Sequence, residues 1–222
     1  MATLSGSARL FVAAIFAGFS AGIFEESGRY IVYRSWARDA RTWAKGIMLG
    51  AGHGGAEAII LGLLAGINII FFIGYREGYY SSLVADVEER QLRELIDALF
   101  TVPWYRPLFG ALERLSAMCI QIALSVLVLR VFTRGNILWL FVAIGWHTVI
   151  DALAVYSVAT WGVEISELIV GLFALLAILI IFLLRTREPE EPHTEPIPQA
   201  GPSGRTEIEV TNDMLDDSRY MS

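Results

Sequence analysis

Three apolar stretches of this chain carry ionisable residues at helical spacing. Two histidines each stand four residues before a carboxylate, and a third stretch holds two adjacent glutamates and an arginine. These residues are Glu25, Glu26, Arg29, His53, Glu57, His147 and Asp151. Residues three or four apart share one face of a helix, so each group forms a local cluster. A charge in hydrocarbon is costly unless it is paired, and such residues mark functional sites.

Carboxylates and imidazoles that share a partly hydrated pocket are suited to hydrolysis. A carboxylate in a low-dielectric environment can act as a general base, and an imidazole can donate to a developing oxyanion or bind a metal. Water activated by a carboxylate is the simplest interpretation. Taken alone, the glutamates and the arginine could be a structural ion pair, and either histidine could be a buried packing residue. The coincidence of three such groups favours a functional pocket.

The composition indicates a protein that is embedded in the lipid bilayer. Of 222 residues, 55% are hydrophobic, and the mean hydropathy is +0.54, which is typical of a polytopic membrane protein. The formal net charge of -6 says little about partners, because much of the acid lies between Asp86 and Asp97 and from Glu188 onward, and no nucleic-acid partner is expected. Cys119 is the single cysteine, so the chain has neither a disulfide framework nor a cysteine-based metal motif.

The hydropathy pattern predicts an all-α, polytopic transmembrane helical bundle with five spans. The spans are expected at about 8–33, 46–74, 108–130, 136–157 and 164–184, each long enough to cross roughly 30 Å of hydrocarbon. Residues 81–99 are predicted to form an amphipathic surface helix that ends before Pro103. We therefore expect a bundle domain over 1–186 and a disordered cytoplasmic tail over 187–222, which is rich in proline and polar residues.

Basic residues and glycines predict the orientation and the packing of the spans. Arginines and lysines lie between spans one and two, between spans three and four, and after span five, which predicts an N-out, C-in arrangement. Small residues recur in the second span at Gly46, Gly50, Gly54, Gly62 and Gly66. This spacing lets helices approach closely in lipid, so we expect the second span to be central.

The polar residues are predicted to share one depth in the membrane. Counted at the helical rise from the basic loops, Glu26 and His53 lie about 12 Å deep, His147 about 16 Å and Gln121 about 14 Å. The same measure puts Glu113 about 25 Å deep, near the outer face. Gln121 is therefore expected in the pocket and Glu113 outside it.

The motifs on these spans resemble one protease family. The elements Glu25-Glu26-Ser27-Gly28-Arg29, Gly52-His53-Gly54-Gly55-Ala56-Glu57, Glu113-Arg114-Leu115 and His147-Thr148-Val149-Ile150-Asp151 are similar to those of the YhfC family. This family is a branch of the glutamic-type intramembrane proteases, related to the CAAX prenyl endopeptidase and the bacterial self-immunity proteins. The resemblance covers residues from about 15 to 160 and implies a multi-pass protein of the plasma membrane of a prokaryote.

The resemblance implies a role for each matched residue. One of Glu25 and Glu26 would activate water for attack on a peptide carbonyl, and Arg29 would orient them. His147 with Asp151 would stabilise the oxyanion. His53 and Glu57 would be members of the same site that are specific to this branch.

The chain also departs from the pattern of the family at two places. Gln121 stands where members often carry a histidine; it can donate to an oxyanion but does not titrate. The chain also begins later than we expect of this family, as if one or more leading spans were missing.

The sequence favours a metal-free carboxylate mechanism, because the HExxH spacing of soluble zinc peptidases is absent. No cofactor is expected. A divalent metal such as zinc stays open, and His53, His147 and Glu26 would then be its ligands, as a two-His, one-carboxylate set.

The leading hypothesis is an intramembrane endopeptidase that cuts a membrane-embedded or lipid-modified protein substrate. Two alternatives from other classes stay open. Intramembrane acids and histidines also form proton relays, which would suit a proton-coupled transporter. A catalytically inactive scaffold that binds membrane proteins would explain Gln121. The substrate, the scissile bond and the oligomeric state do not follow from the sequence.

Overall fold

The computed structural model describes residues 6–79 and 89–186, and this part of the chain is built from six helices. They are α1 (Gly6–Ser35), α2 (Trp43–Arg76), α3 (Glu89–Phe100), α4 (Arg106–Arg134), α5 (Leu138–Trp161) and α6 (Val163–Leu183). All except α3 are long and apolar enough to cross a membrane. The predicted all-α bundle with five spans is confirmed, whereas the N-out, C-in orientation stays a prediction.

Helix α4 is the centre of the bundle. It packs against α1, α2, α5 and α6, and its run from Ile120 to Val131 is almost entirely buried. Pro107 in its first turn needs no backbone hydrogen bond there, and Gly135 ends the helix with a φ of 63°. The prediction that the second span is central was therefore wrong, because α2 packs mainly on α4 alone.

Glycines on α1 allow this helix to lie directly on α5. A Cβ atom at Gly18 would stand 2.5 Å from the backbone oxygen of Thr148, and one at Gly22 would stand 2.8 Å from that of Ile144. No larger residue fits these positions without separating the two helices. This close approach brings the acidic residues of α1 within reach of His147 on α5.

Only the first part of the glycine series in α2 packs as the spacing predicts. Gly46, Gly50 and Gly54 are buried against α4, where a Cβ atom at Gly50 would lie 2.6 Å from the Cα atom of Ile122. Gly62 and Gly66 face open space, with no atom within 4 Å of an added Cβ. The second half of α2 therefore exposes its apolar side chains, as expected of a surface in contact with lipid.

Replacing Gly50 with Leu should separate α2 from α4. Overpacking of this kind costs about 1–3 kcal/mol, and more when the clash is with backbone. We expect a clearly lower apparent melting temperature in detergent than that of the wild type. The matched variant Gly62→Leu, on the same helix but in open space, should melt like the wild type, and equal melting of the two variants would contradict this packing.

Buried hydroxyls join three helices beneath the polar cluster. The Tyr33 hydroxyl on α1 lies 2.9 Å from Ser125 Oγ on α4, and Ser125 Oγ donates to the backbone oxygen of Gly46 on α2 at 2.9 Å. Tyr33 and Ser125 are fully buried. A satisfied buried network of this kind fixes the register of the three helices, which sets the positions of the ionisable residues one to two turns away.

Helix α3 matches the later part of the predicted amphipathic segment. It ends at Phe100, before Pro103, and it buries Ile96 while Leu95 and Leu99 are exposed. Residues 80–88 and the predicted disordered tail over 187–222 lie outside the described residues. The division into a bundle over 1–186 and a tail thus stays a prediction.

Candidate active site

Four helices bring the ionisable residues together in the membrane-spanning part of the bundle. Helix α1 contributes Glu25, Glu26 and Arg29, α2 contributes His53 and Glu57, α4 contributes Gln121, and α5 contributes His147 and Asp151. Hydrogen bonds and ion pairs connect all eight side chains. The arrangement has a sealed half around Glu26 and an accessible half around Glu25.

The sealed half is an ion pair closed by a histidine. Glu26 is fully buried and Arg29 is 2% exposed. The guanidinium Nε of Arg29 donates to Glu26 Oε2 at 3.0 Å, and the other carboxylate oxygen lies 2.9 Å from His147 Nδ1. Both oxygens of Glu26 are therefore occupied by protein groups, and neither faces solvent or substrate.

The accessible half is centred on Glu25. Its side chain is 35% exposed, and its Oε2 atom lies 3.3 Å from His53 Nε2. The same oxygen accepts a hydrogen bond from Gln121 Nε2 at 3.0 Å. Glu57 approaches from α2, where its Oε2 accepts from Gln121 Nε2, also at 3.0 Å. Two carboxylates and an imidazole thus face one another at the edge of the sealed ion pair.

Gln121 connects the two halves. Its amide nitrogen donates to both Glu25 and Glu57, and its side-chain oxygen accepts a hydrogen bond from Arg29. Because a primary amide has two N–H groups, both are used in this arrangement. Gln121 therefore holds the carboxylates in place, and it would have to release one of them before it could serve the expected oxyanion.

His147 directs its second nitrogen toward the accessible half. Its Nε2 atom lies 3.4 Å from Asp151 Oδ2 and 4.0 Å from Glu25 Oε2. The imidazole is 4% exposed and stands between the carboxylates of Glu26 and Asp151. An imidazole can donate to both neighbours at once only in its protonated form.

A polar cavity of about 100 Å³ opens beside these groups, enough for several water molecules. Glu25, Glu57, Gln121, His147 and Asp151 line it, together with Glu113, Arg114 and apolar side chains. The exclusion of Glu113 by depth was therefore wrong. The depth estimate counted residues along straight helices, whereas the cavity extends along α4 for two helical turns from Gln121 to Arg114.

Arg114 belongs to the Glu113-Arg114-Leu115 motif, but no role in the site was predicted for it. Its Nη1 donates to Glu57 Oε1 at 3.0 Å, and its Nη2 donates to Glu113 Oε1 at 2.5 Å. The contact with Glu57 fixes the carboxylate that Gln121 also holds. The seven-residue spacing from Arg114 to Gln121 puts both residues on one face of α4, and this signal was available in the sequence.

Glu25, His53 and Glu57 form a group that could hold a metal ion. One ligand atom from each lies within 4.8 Å of the others, and each residue is partly buried. One nitrogen and two oxygen donors beside a polar cavity match a catalytic site with three protein ligands and an open position. This set differs from the predicted ligands His53, His147 and Glu26, because Glu26 is fully buried and both of its oxygens are held by Arg29 and His147.

Comparisons with known proteins identify the family of this chain. A family model described as the YhfC intramembrane metalloprotease matches residues 1–183. The chain is 36% identical over 143 residues to the uncharacterized membrane protein YhfC of Bacillus subtilis (strain 168). The matched region covers 64% of this chain and 55% of that relative. No solved structure matches. Since the family model spans most of the chain, this protein belongs to the YhfC intramembrane metalloprotease family.

Proposed function

We propose that the protein is an intramembrane endopeptidase that hydrolyses a peptide bond in a membrane-embedded or lipid-modified protein. The observation that carries this proposal is the convergence of carboxylates from α1, α2 and α5, together with the imidazole of His147, on one polar cavity within the spans. The family description supports a membrane protease. The expected setting is the plasma membrane of a prokaryote, with the chain oriented N-out and C-in.

Glu25 is the carboxylate best placed to activate water. Among the described residues, its hydrogen bonds go to Oε2, which leaves Oε1 for the proton of a water molecule in the cavity. A carboxylate in this role takes the proton as the water oxygen attacks the carbonyl carbon. The adjacent Glu26 is too deeply buried for this step.

His147 and Asp151 are placed to serve the other side of the reaction. With Nδ1 held by Glu26, the Nε2–H of a protonated His147 can donate to the oxygen of the attacked carbonyl or to the leaving amine. Asp151, 3.4 Å from Nε2, keeps this nitrogen directed along the cavity. Glu26 and Arg29 act as positioning residues because they fix the imidazole from behind.

The family description also implies a divalent metal, and the accessible half of the site fits one. Glu25, His53 and Glu57 would be the ligands, since their donor atoms already face one another. When bound, such a cation would polarise the carbonyl and make a coordinated water more acidic. Gln121 and Arg114 would orient the two carboxylate ligands, as outer residues do in known metal sites. The metal-free mechanism favoured by the sequence is not confirmed.

Removing Arg114 should weaken the site without unfolding the protein. Arg114→Gln would leave Glu57 without its second anchor, and loss of such a partner typically lowers metal affinity or activity about 10–100-fold. We expect Arg114→Lys to retain part of the metal affinity, because a lysine can keep one contact to Glu57. Zinc binding by chelator competition measures the effect, and wild-type affinity in Arg114→Gln would contradict this role.

Cleavage by purified protein with its metal removed and restored tests the proposed function. Protein reconstituted in liposomes should cut a single-span substrate, lose this activity after dialysis against a chelator, and regain it when zinc is added. Activity that is unchanged by the chelator would reject the metal but keep the hydrolase. Tight binding of substrate with no cleavage under any of these conditions would identify a scaffold instead.

A further inference from the structure

Helices α1 and α2 leave a groove between them that reaches the polar cluster. α1 packs mainly on α5 and α2 on α4, with little direct contact between α1 and α2. The space that results has a volume of about 560 Å³. We refer to it as the α1–α2 groove.

The walls of the α1–α2 groove are apolar and face the surrounding lipid. Phe24, Ile31 and Trp36 line it from the side of α1 and are 78%, 57% and 85% exposed. Leu49 lines it from α2. In a bilayer, water would not fill a groove with apolar walls. The groove is therefore suited to a hydrophobic chain that enters sideways from the hydrocarbon.

One end of the groove is polar. Glu25, Arg29 and His53 line it there, and Glu25 also lines the polar cavity. The two spaces therefore share one carboxylate. A hydrolase that acts inside a membrane needs an apolar substrate and water at the same group, and here the groove offers access from lipid while the cavity holds room for water.

The length and the polar end of the groove indicate what form of chain suits it. From Phe24 to Trp36 the groove follows α1 for roughly 18 Å at the helical rise. An extended peptide of about five residues spans this length. Its backbone N–H and C=O groups are not bonded to one another as they are within a helix, so an extended segment can present them to the polar end.

We propose that the α1–α2 groove binds an extended apolar segment of a membrane-embedded protein and leads it to Glu25. This inference rests on the proposed function and names its substrate class: a transmembrane segment that unwinds near the cut. A peptide backbone offers N–H and C=O groups to the polar end of the groove. A lipid acyl chain offers neither, and it would leave Glu25 and His53 facing hydrocarbon.

Two glycines allow a matched test of this surface. Gly28 lines the groove, and an added Cβ there meets no atom within 4 Å. Gly62 on α2 has the same open surroundings but does not line the groove. Changing Cys119 to Ser removes the native thiol, so that Gly28→Cys and Gly62→Cys can each present a single thiol in an otherwise intact chain.

Crosslinking in liposomes measures binding independently of cleavage. The probe is a synthetic Leu/Ala transmembrane peptide with one cysteine, made with and without a central Gly-Pro pair that breaks its helix. We expect disulfide formation at Gly28→Cys to exceed that at Gly62→Cys about tenfold. We also expect the Gly-Pro peptide to react better than the continuous helix.

Equal crosslinking at the two positions would overturn the inference, and so would a Gly28→Cys thiol that reacts with a maleimide-tipped lipid tail but not with the peptide. The outcome is separable from that for the proposed function. Selective crosslinking by a protein that cleaves nothing would keep the groove and reject the protease. In an active protein, Gly28→Phe should fill the groove and lower peptide cleavage about tenfold relative to Gly62→Phe.

Discussion

Glu25→Gln should lower the rate of peptide cleavage by roughly a hundred- to ten-thousandfold, the range measured for loss of a general base. The amide has the size of the carboxylate but cannot take a proton from water. Because Glu25 is half-buried rather than sealed in the core, we expect the variant to remain folded and to melt near the wild-type temperature. Initial rates of substrate cleavage in liposomes measure the effect.

Glu164→Gln is the matched control for this substitution. Glu164 is also a carboxylate at hydrogen-bond distance from a basic partner, with its Oε1 3.1 Å from Arg106 Nη2, but it does not line the cavity. Its removal should leave the cleavage rate within about twofold of the wild type, since exposed ion pairs contribute little. Comparable losses in the two variants would show that general charge, and not the position of Glu25, controls the rate.

Glu26→Ala should destabilise the whole bundle. The substitution leaves Arg29 buried without the carboxylate that now pairs with its Nε, and breaking a buried ion pair in this way costs about 3–5 kcal/mol. It also removes the partner of His147 Nδ1. We therefore expect a large fall in the apparent melting temperature together with loss of cleavage, measured on the same detergent-solubilised sample.

The double variant Glu26→Ala/Arg29→Met separates stability from catalysis. Replacing both partners of a buried ion pair by apolar groups is often neutral or stabilising. The double variant should thus recover most of the lost melting temperature. Cleavage should stay low because His147 is still without its anchor. Recovery of both properties would contradict the positioning role of Glu26.

The fold was largely predictable from hydropathy because each span must satisfy its backbone within one helix. Five runs of sufficient length predicted five spans, and the structure confirms them. Which span is central was not predictable from glycine spacing. Gly50 packs against α4 and Gly62 faces open space although both belong to the same periodic series, since the spacing gives a face of the helix but not its neighbour.

Helical periodicity also brought most of the site within reach of prediction. His147 and Asp151 are four residues apart and lie on one face, and the structure has their side chains 3.4 Å apart. The different environments of Glu25 and Glu26 were not predictable. Adjacent residues on a helix point about 100° apart, and only the contacts of α1 with α5 determine that Glu26 is sealed and Glu25 lines the cavity.

Of the three candidate metal ligands, His53 was predicted, but Glu25 and Glu57 were not predicted as ligands, for a related reason. Depth alone allowed His147 and Glu26 to join His53, but depth contains no information about which side chains are already paired. The structure commits Glu26 to Arg29 and His147, which leaves Glu25 and Glu57 to face His53. Long side chains add to the difficulty, since Arg114 lies two turns from Gln121 along α4 and its side chain still reaches Glu57.

A single hydrolytic centre is best tested by comparing the cleavage rates of Glu25→Gln, His147→Ala and the variant that carries both changes. Residues that act as one catalytic unit show strongly non-additive losses. If the cluster is a single hydrolytic centre, the double variant will be no slower than the slower single variant. Losses that multiply, or a single variant with full activity, would contradict a shared centre built from α1 and α5.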